Sequence, residues 1–168
     1  MQRRSLLRLG IASGVVLALG GGAAALLQPG VQQGRLTTAG AQVLRATALA
    51  ILDGSLPTEA VARANALAGL ADRSQALVVG LPPHAQAELS QLLALLASVP
   101  GRRWFAGLEA DWAQATMPDL RAALEQLRRS NLALKRQAYH ALHDIAAGAY
   151  FSEPSTWARL GYPGPISI

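Results

Sequence analysis

The chain has 168 residues, of which 51% are hydrophobic and 15% charged, no cysteine, and a formal charge of +5. Without cysteine it has no disulfide framework, attaches no c-type haem through Cys-x-x-Cys-His and holds no iron–sulfur cluster on thiolates. That length suits one domain plus an appendage, and no strand-like run stands out.

The first 25 residues have the pattern of an export signal. Arg3 and Arg4 stand before the apolar, glycine-interrupted run Leu9 to Leu27, which resembles the twin-arginine signal of bacterial export. Gln2 takes the place usually held by Ser or Thr, and Leu6 that of a frequent aromatic. Ala23-Ala24-Ala25 offers small residues for cleavage after Ala25. The alternative outcome is retention, because an uncharged run of about 19 residues is long enough to span a bilayer as an anchor. Loss of Arg3, Arg4 and Arg8 takes the charge from +5 to +2. So small a balance does not point to nucleic acid, whose readers concentrate Lys and Arg on one face.

Residues 28–35, with Pro29, Gly30, Gly34 and three glutamines, fit a flexible joint; residues 1–34 are expected as signal or anchor plus linker and residues 35–168 as the folded domain. Thr37 or Thr38 caps a helix reaching Leu52. Leu56-Pro57-Thr58-Glu59 restarts the chain into an alanine-rich helix ending at Gly80. Pro82-Pro83 opens a third helix, with His84 as a cap. A fourth is expected from Arg102 to about Ala115, where Trp104, Leu108 and Trp112 recur every four residues and should share one face. Asp119 to Phe151 reads as one continuous helix of roughly 50 Å, around which the others pack. Its apolar seam runs through Leu120, Leu124, Leu127, Asn131, Leu134, Ala138, Leu142, Ile145 and Ala149. Pro118 suits its first turn and Asp119 the positive end of its dipole. The expected fold class is therefore all-α, a bundle of about five helices with an irregular tail.

Chemistry is sparse in this pattern. Phosphate loops, nucleophile elbows and dinucleotide fingerprints are absent from the sequence outside the leader. His140, His143 and Asp144 recur at helical spacing and are the one candidate metal or acid/base group; structural hydrogen bonding is the commoner role for such a set. Arg128, Arg129, Lys135 and Arg136 cluster as a solvated or protein-contacting face. The tail sets Tyr150, Phe151, Trp157 and Tyr162 among Pro154, Pro163 and Pro165. Aromatics in such a setting offer large contact area at little entropy cost, so the tail either folds back on its own bundle or docks on a partner.

Five features together resemble a known family: the Arg3-Arg4 leader; the helix from Leu36-Thr37 to Leu52 followed by Leu56-Pro57; Gly101-Arg102-Arg103 with Trp112; Tyr139-His140-Ala141-Leu142-His143-Asp144; and the ending Tyr150-Phe151-x-x-Pro154-x-x-Trp157-x-x-x-Gly161-Tyr162-Pro163-Gly164-Pro165. They are similar to the small, or gamma, subunit of periplasmic, membrane-associated flavin-dependent dehydrogenases, of the gluconate 2-dehydrogenase subunit 3 type. The aromatic Gly-Tyr-Pro-Gly tail is the most specific part.

The resemblance implies a noncatalytic chain that carries no cofactor. Its partner would be a large subunit holding FAD in a glucose-methanol-choline oxidoreductase fold, with a multihaem cytochrome c as a further possible partner that accepts electrons. The twin-arginine machinery would export the pair on the small subunit's signal. That route moves proteins already folded around a cofactor, and a signal-bearing helper for a signal-less flavoprotein fits a chain with no cofactor site of its own. The tail residues Tyr150, Phe151, Trp157, Tyr162, Pro163 and Pro165 are the expected partner contacts. The other reading is a stand-alone, membrane-tethered adaptor or chaperone.

Overall fold

The structure, a computed structural model, describes residues 28–164; Arg3, Arg4, the apolar run up to Leu27, and Pro165 lie outside the described residues. Residues 28–36 correct the first expectation, since the supposed joint is a β-hairpin fixed to the bundle. Strand β1 (Val31–Gln32) pairs antiparallel with β2 (Arg35–Leu36), with Val31 opposite Leu36. Gln33 and Gly34 turn the chain at φ 50° and 74°, the paired positive φ of a type I′ hairpin. Distant side chains hold the hairpin down. The Ser90 hydroxyl accepts from Val31 N and donates to Val31 O, and the Gln75 amide bridges Gly34 O and Leu36 N. A side chain at Gly30 would collide with Leu93, so that glycine marks close packing, not slack.

Helix α1 (Thr38–Ile51) begins where expected, with the Thr37 hydroxyl accepting from Gly40 N at 3.2 Å. It buries Val43, Leu44, Ala46, Thr47 and Ala48. Helix α2 (Ala60–Gly80) is peripheral and buries only Leu70, Ser74 and Val78, leaving Val61, Leu77 and Val79 exposed. Its N-cap is Glu59, whose carboxylate accepts from Val61 N at 2.9 Å and Ala62 N at 2.6 Å. Helix α3 (Pro83–Ala97) starts on Pro82, with no side-chain cap; His84 lies exposed inside the first turn and caps nothing.

The two Glu59 hydrogen bonds hold its carboxyl below the usual 4.5, that to Val61 contributing most and that to Ala62 next. Because the folded pKa is the lower one, the cap's charge stabilises the fold above the unfolded value and is lost as pH falls through the folded one. Glu59→Gln keeps an acceptor but removes the titration. The difference in melting temperature between the wild type and this variant should be full above pH 5 and shrink on acidification; a difference that stays constant with pH contradicts the assignment.

The expected fourth helix is not formed. Gly101–Phe105 is a single π-helical turn, closed by Ala106 N on Gly101 O, and residues 106–115 follow as turns and loop. Trp104 is 81% exposed, whereas Leu108 and Trp112 are buried at 2% and 3%, so the three do not share a face. The wide π turn changes the angular step, and Gly107, at φ 72°, redirects the chain. Arg102 then organises the loop from beneath. Its guanidinium donates to Asp111 Oδ2 at 2.8 Å and to Glu109 O at 3.3 Å, while Arg102 O accepts from Leu108 N.

The long helix is two helices. Helix α4 (Met117–Arg128) opens on a reciprocal capping box between Thr116 and Asp119, and α5 (Ala133–Phe151) follows after four residues. Ser and Asn side chains compete with helical hydrogen bonding by bonding the backbone locally, and Ser130 does so here: its hydroxyl accepts from Leu132 N, and its carbonyl accepts from Arg136 Nη1 at 2.7 Å. Asn131 is therefore exposed in the connection, not set in a seam. Folding back lets α4 and α5 pack on each other and on α1.

Among the described residues, five α-helices thus form an all-α bundle with a two-strand hairpin at its edge. The centre is α1, which packs against α3, α4 and α5, while α2 covers α5. One core joins Val43, Leu44, Leu93, Leu96, Trp112, Leu127 and Leu142. A smaller one collects Leu52, Leu56, Leu70, Ala149 and Tyr150 where α1, α2 and α5 meet.

Candidate partner-binding surface

The end of α5 is held before the tail begins. Arg73 on α2 donates from Nε to Ala149 O at 2.7 Å and forms an ion pair with Glu153 at 3.6 Å. Three of the last helical carbonyls receive donors that the helix itself cannot supply: Ala149 O from Arg73 and Ser152, Tyr150 O from Thr156 Oγ1, and Phe151 O from Trp157 Nε1 at 2.7 Å. Arg73 in a helix of alanines gives no pattern by which sequence reasoning would find it.

Pro154–Leu160 is a 3-10 helix ending on Gly161 at φ 67°, a left-handed cap that glycine adopts without strain. Tyr162 N then donates back to Trp157 O at 3.1 Å, and the Tyr162 and Trp157 rings meet at 5.4 Å between centroids. Gly164 lies against the same indole. The tail is therefore a turn built on Trp157. It leaves Leu160 at 56% and Tyr162 at 48% exposure, with Pro163 beside them.

The expected contact residues separate into two groups. Tyr162 and Pro163 face outward, joined by Leu160, which was not among those expected, and Trp157 and Phe151, both half-buried, support them. Tyr150 does not belong with them: it is 2% exposed, and its hydroxyl donates to Ser55 O at 2.7 Å. Its aromatic area is spent on the smaller core, because the last turn of α5 points inward against α1 and α2. Pro165 lies outside the described residues.

The histidine cluster does not close. His143 Nδ1 lies 3.2 Å from Asp144 Oδ1, but His140 is exposed, and the two imidazoles are arranged around Tyr139 at 5.5 and 5.9 Å between centroids. Among the described residues no three His, Asp or Glu side chains come within reach of one ion. His143 and Tyr139 instead border an open cleft of about 280 Å³ with Ala50, Ile51, Arg121 and Glu125. Its charges are already engaged, Arg121 with Asp53 and Glu125 with Arg128 and Arg129. The Arg128 hydrogen bond chiefly holds the Glu125 carboxyl below its ordinary range. Arg121 and Glu125 therefore enter this cleft as paired charges.

No family model matches the chain, nor does any curated protein or solved structure.

Proposed function

We propose that this chain is a noncatalytic subunit that escorts a periplasmic FAD-dependent dehydrogenase through twin-arginine export and stabilises it afterwards, as the sequence resemblance implies. The observation that carries the reading is the tail. Trp157 is fixed by a hydrogen bond to Phe151 O and stacked by Tyr162, which presents Leu160, Tyr162 and Pro163 outward on a pre-ordered turn. An aromatic anchor already held in shape loses little entropy on docking, and its flanking apolar residues supply the area a partner would cover. Among the described residues no helix is long and apolar enough to cross a membrane.

The direct test is affinity purification of the full chain, under mild conditions, from periplasmic and membrane fractions. The proposal expects a yellow preparation with flavin absorbance and a second chain of flavoprotein size; haem bands would add the cytochrome. A colourless single chain would defeat it and leave the stand-alone adaptor. Removing residues 155–168 is too blunt, because Thr156 is buried and Trp157 is tied to α5. Leu160→Ser with Tyr162→Ser should leave the melting temperature within a few degrees and lower the flavoprotein recovered at least about tenfold, as expected when apolar anchors are lost. Unchanged recovery from a folded variant places the docking surface elsewhere.

A further inference from the structure

At the other end of α5, roughly 28 Å of helix away from the tail, two turns are brought side by side. Lys135 Nζ donates to Trp104 O at 3.4 Å and lies 5.4 Å from the centroid of Phe105. This sets the π turn at 101–105 against the connection that enters α5. Each turn carries an apolar tip in solvent: Trp104 is 81% exposed and Leu132 62%, with Val99 at 54% beside the first. Around them stand Arg103, Arg128, Arg129, Lys135 and Arg136. Glu109 pairs with Arg103, and Glu125 with Arg128 and Arg129, so the cations outnumber the carboxylates among them and the patch is net positive.

We infer that these two turns dock the protein on an anionic lipid surface, with the Trp104 indole and Leu132 entering the interface and the arginines and Lys135 meeting lipid phosphates. The composition favours lipid over protein: two largely solvent-exposed apolar side chains, Trp104 at 81% and Leu132 at 62%, stand among basic residues, the combination an anionic bilayer interface takes up. Tryptophan settles at a bilayer interface because its ring is apolar and its N–H polar. Neighbouring basic residues add attraction to anionic headgroups, an attraction that salt screens. This inference does not rest on the flavoprotein reading, since it concerns other residues and a different partner.

The test uses the full chain carrying Trp157→Phe, so that with Trp112 buried the solvent-sensitive fluorescence comes from Trp104. Vesicles of phosphatidylcholine with about one third phosphatidylglycerol should shift its emission to the blue and shield it from acrylamide. Vesicles of phosphatidylcholine alone, or high salt, should not. Adding Arg129→Gln and Lys135→Gln should weaken this protection by about tenfold or more. Pelleting alone is no support, because the apolar leader can attach the chain. Protein that pellets while Trp104 stays open to quencher overturns the inference. So does absence of any shift with anionic vesicles, which would leave the patch to an acidic protein surface.

Discussion

Trp112→Ala should lower stability by about 3–5 kcal/mol, the usual cost of emptying a buried aromatic site, and depress the thermal midpoint by roughly 10–20 °C. Two effects combine. The indole is 3% exposed and sits in the main core with Leu96 and Leu127. Its Nε1 also donates to Leu96 O at 2.7 Å, one of the carbonyls that α3 leaves unpaired at its C-terminus. The neighbouring carbonyls have partners of other kinds: Ser98 N reaches Ala94 O and Leu95 O, and the Ser98 hydroxyl donates to Leu95 O. Trp112 thus fills the core and caps a helix at once. Trp112→Phe separates the two roles, since it keeps most of the apolar volume and leaves a buried carbonyl without its donor, a cost of about 1–3 kcal/mol. Chemical denaturation of both variants is the measurement. Equal losses would mean that the hydrogen bond carries the whole effect, and a loss below about 1 kcal/mol in the alanine variant would mean that residues 106–115 are not part of the core.

This tryptophan also shows where the sequence was legible. The helix class, the Thr37 cap, the Leu56-Pro57 and Pro82-Pro83 restarts and the first-turn Pro118 and Asp119 depend on neighbouring residues alone, and local rules found them. The errors come from contacts distant in sequence. The spacing of Trp104, Leu108 and Trp112 is helical, but Arg102 draws Asp111 and Glu109 O inward and a π turn replaces the helix. Buried positions can thus keep a helical interval while the chain between them is loop. Residues 28–35 have a linker's composition, yet Ser90 and Gln75, 59 and 39 residues along from Val31 and Leu36, bind their backbone.

The break between α4 and α5 carried a local signal, the Ser130-Asn131 pair, which the strong periodicity on either side outweighed. A seam that repeats across two antiparallel or angled helices is indistinguishable, residue by residue, from one that continues along a single rod, because both bury every third or fourth position. The candidate surface was half legible. Aromatic and proline content pointed to the tail, but composition does not tell an anchor facing in from one facing out. The patch at Trp104 and Leu132 was not legible at all: the first was expected to share a face with Leu108 and Trp112, both of which are buried, and the second carried no expectation.

Tyr150→Ala should cost a similar 3–5 kcal/mol, and it tests the correction that matters most for function. If Tyr150 were a docking residue, its loss would weaken a complex and leave the isolated chain as stable as before. The structure predicts the reverse for the isolated chain. The ring is 2% exposed among Leu52, Leu56, Leu70 and Ala149, packs edge-on against Phe151 at 5.1 Å between centroids, and ties α5 through its hydroxyl to Ser55 O in the connection between α1 and α2. Tyr150→Phe keeps the ring and should lose only about 1 kcal/mol, the net worth of one hydrogen bond. A thermal melt of the chain alone therefore ranks the tail variants: Tyr150→Ala far below the wild type, Tyr150→Phe close to it, and Leu160→Ser with Tyr162→Ser closer still. An alanine variant that melts like the wild type would show that the smaller core does not need this side chain, and Tyr150 would return to the list of surface contacts. If the order holds, any loss of partner in the Leu160 and Tyr162 variant is a loss of the tail's outward surface, both its contacts and the Tyr162 stacking that orders Trp157, and not a loss of the bundle's stability.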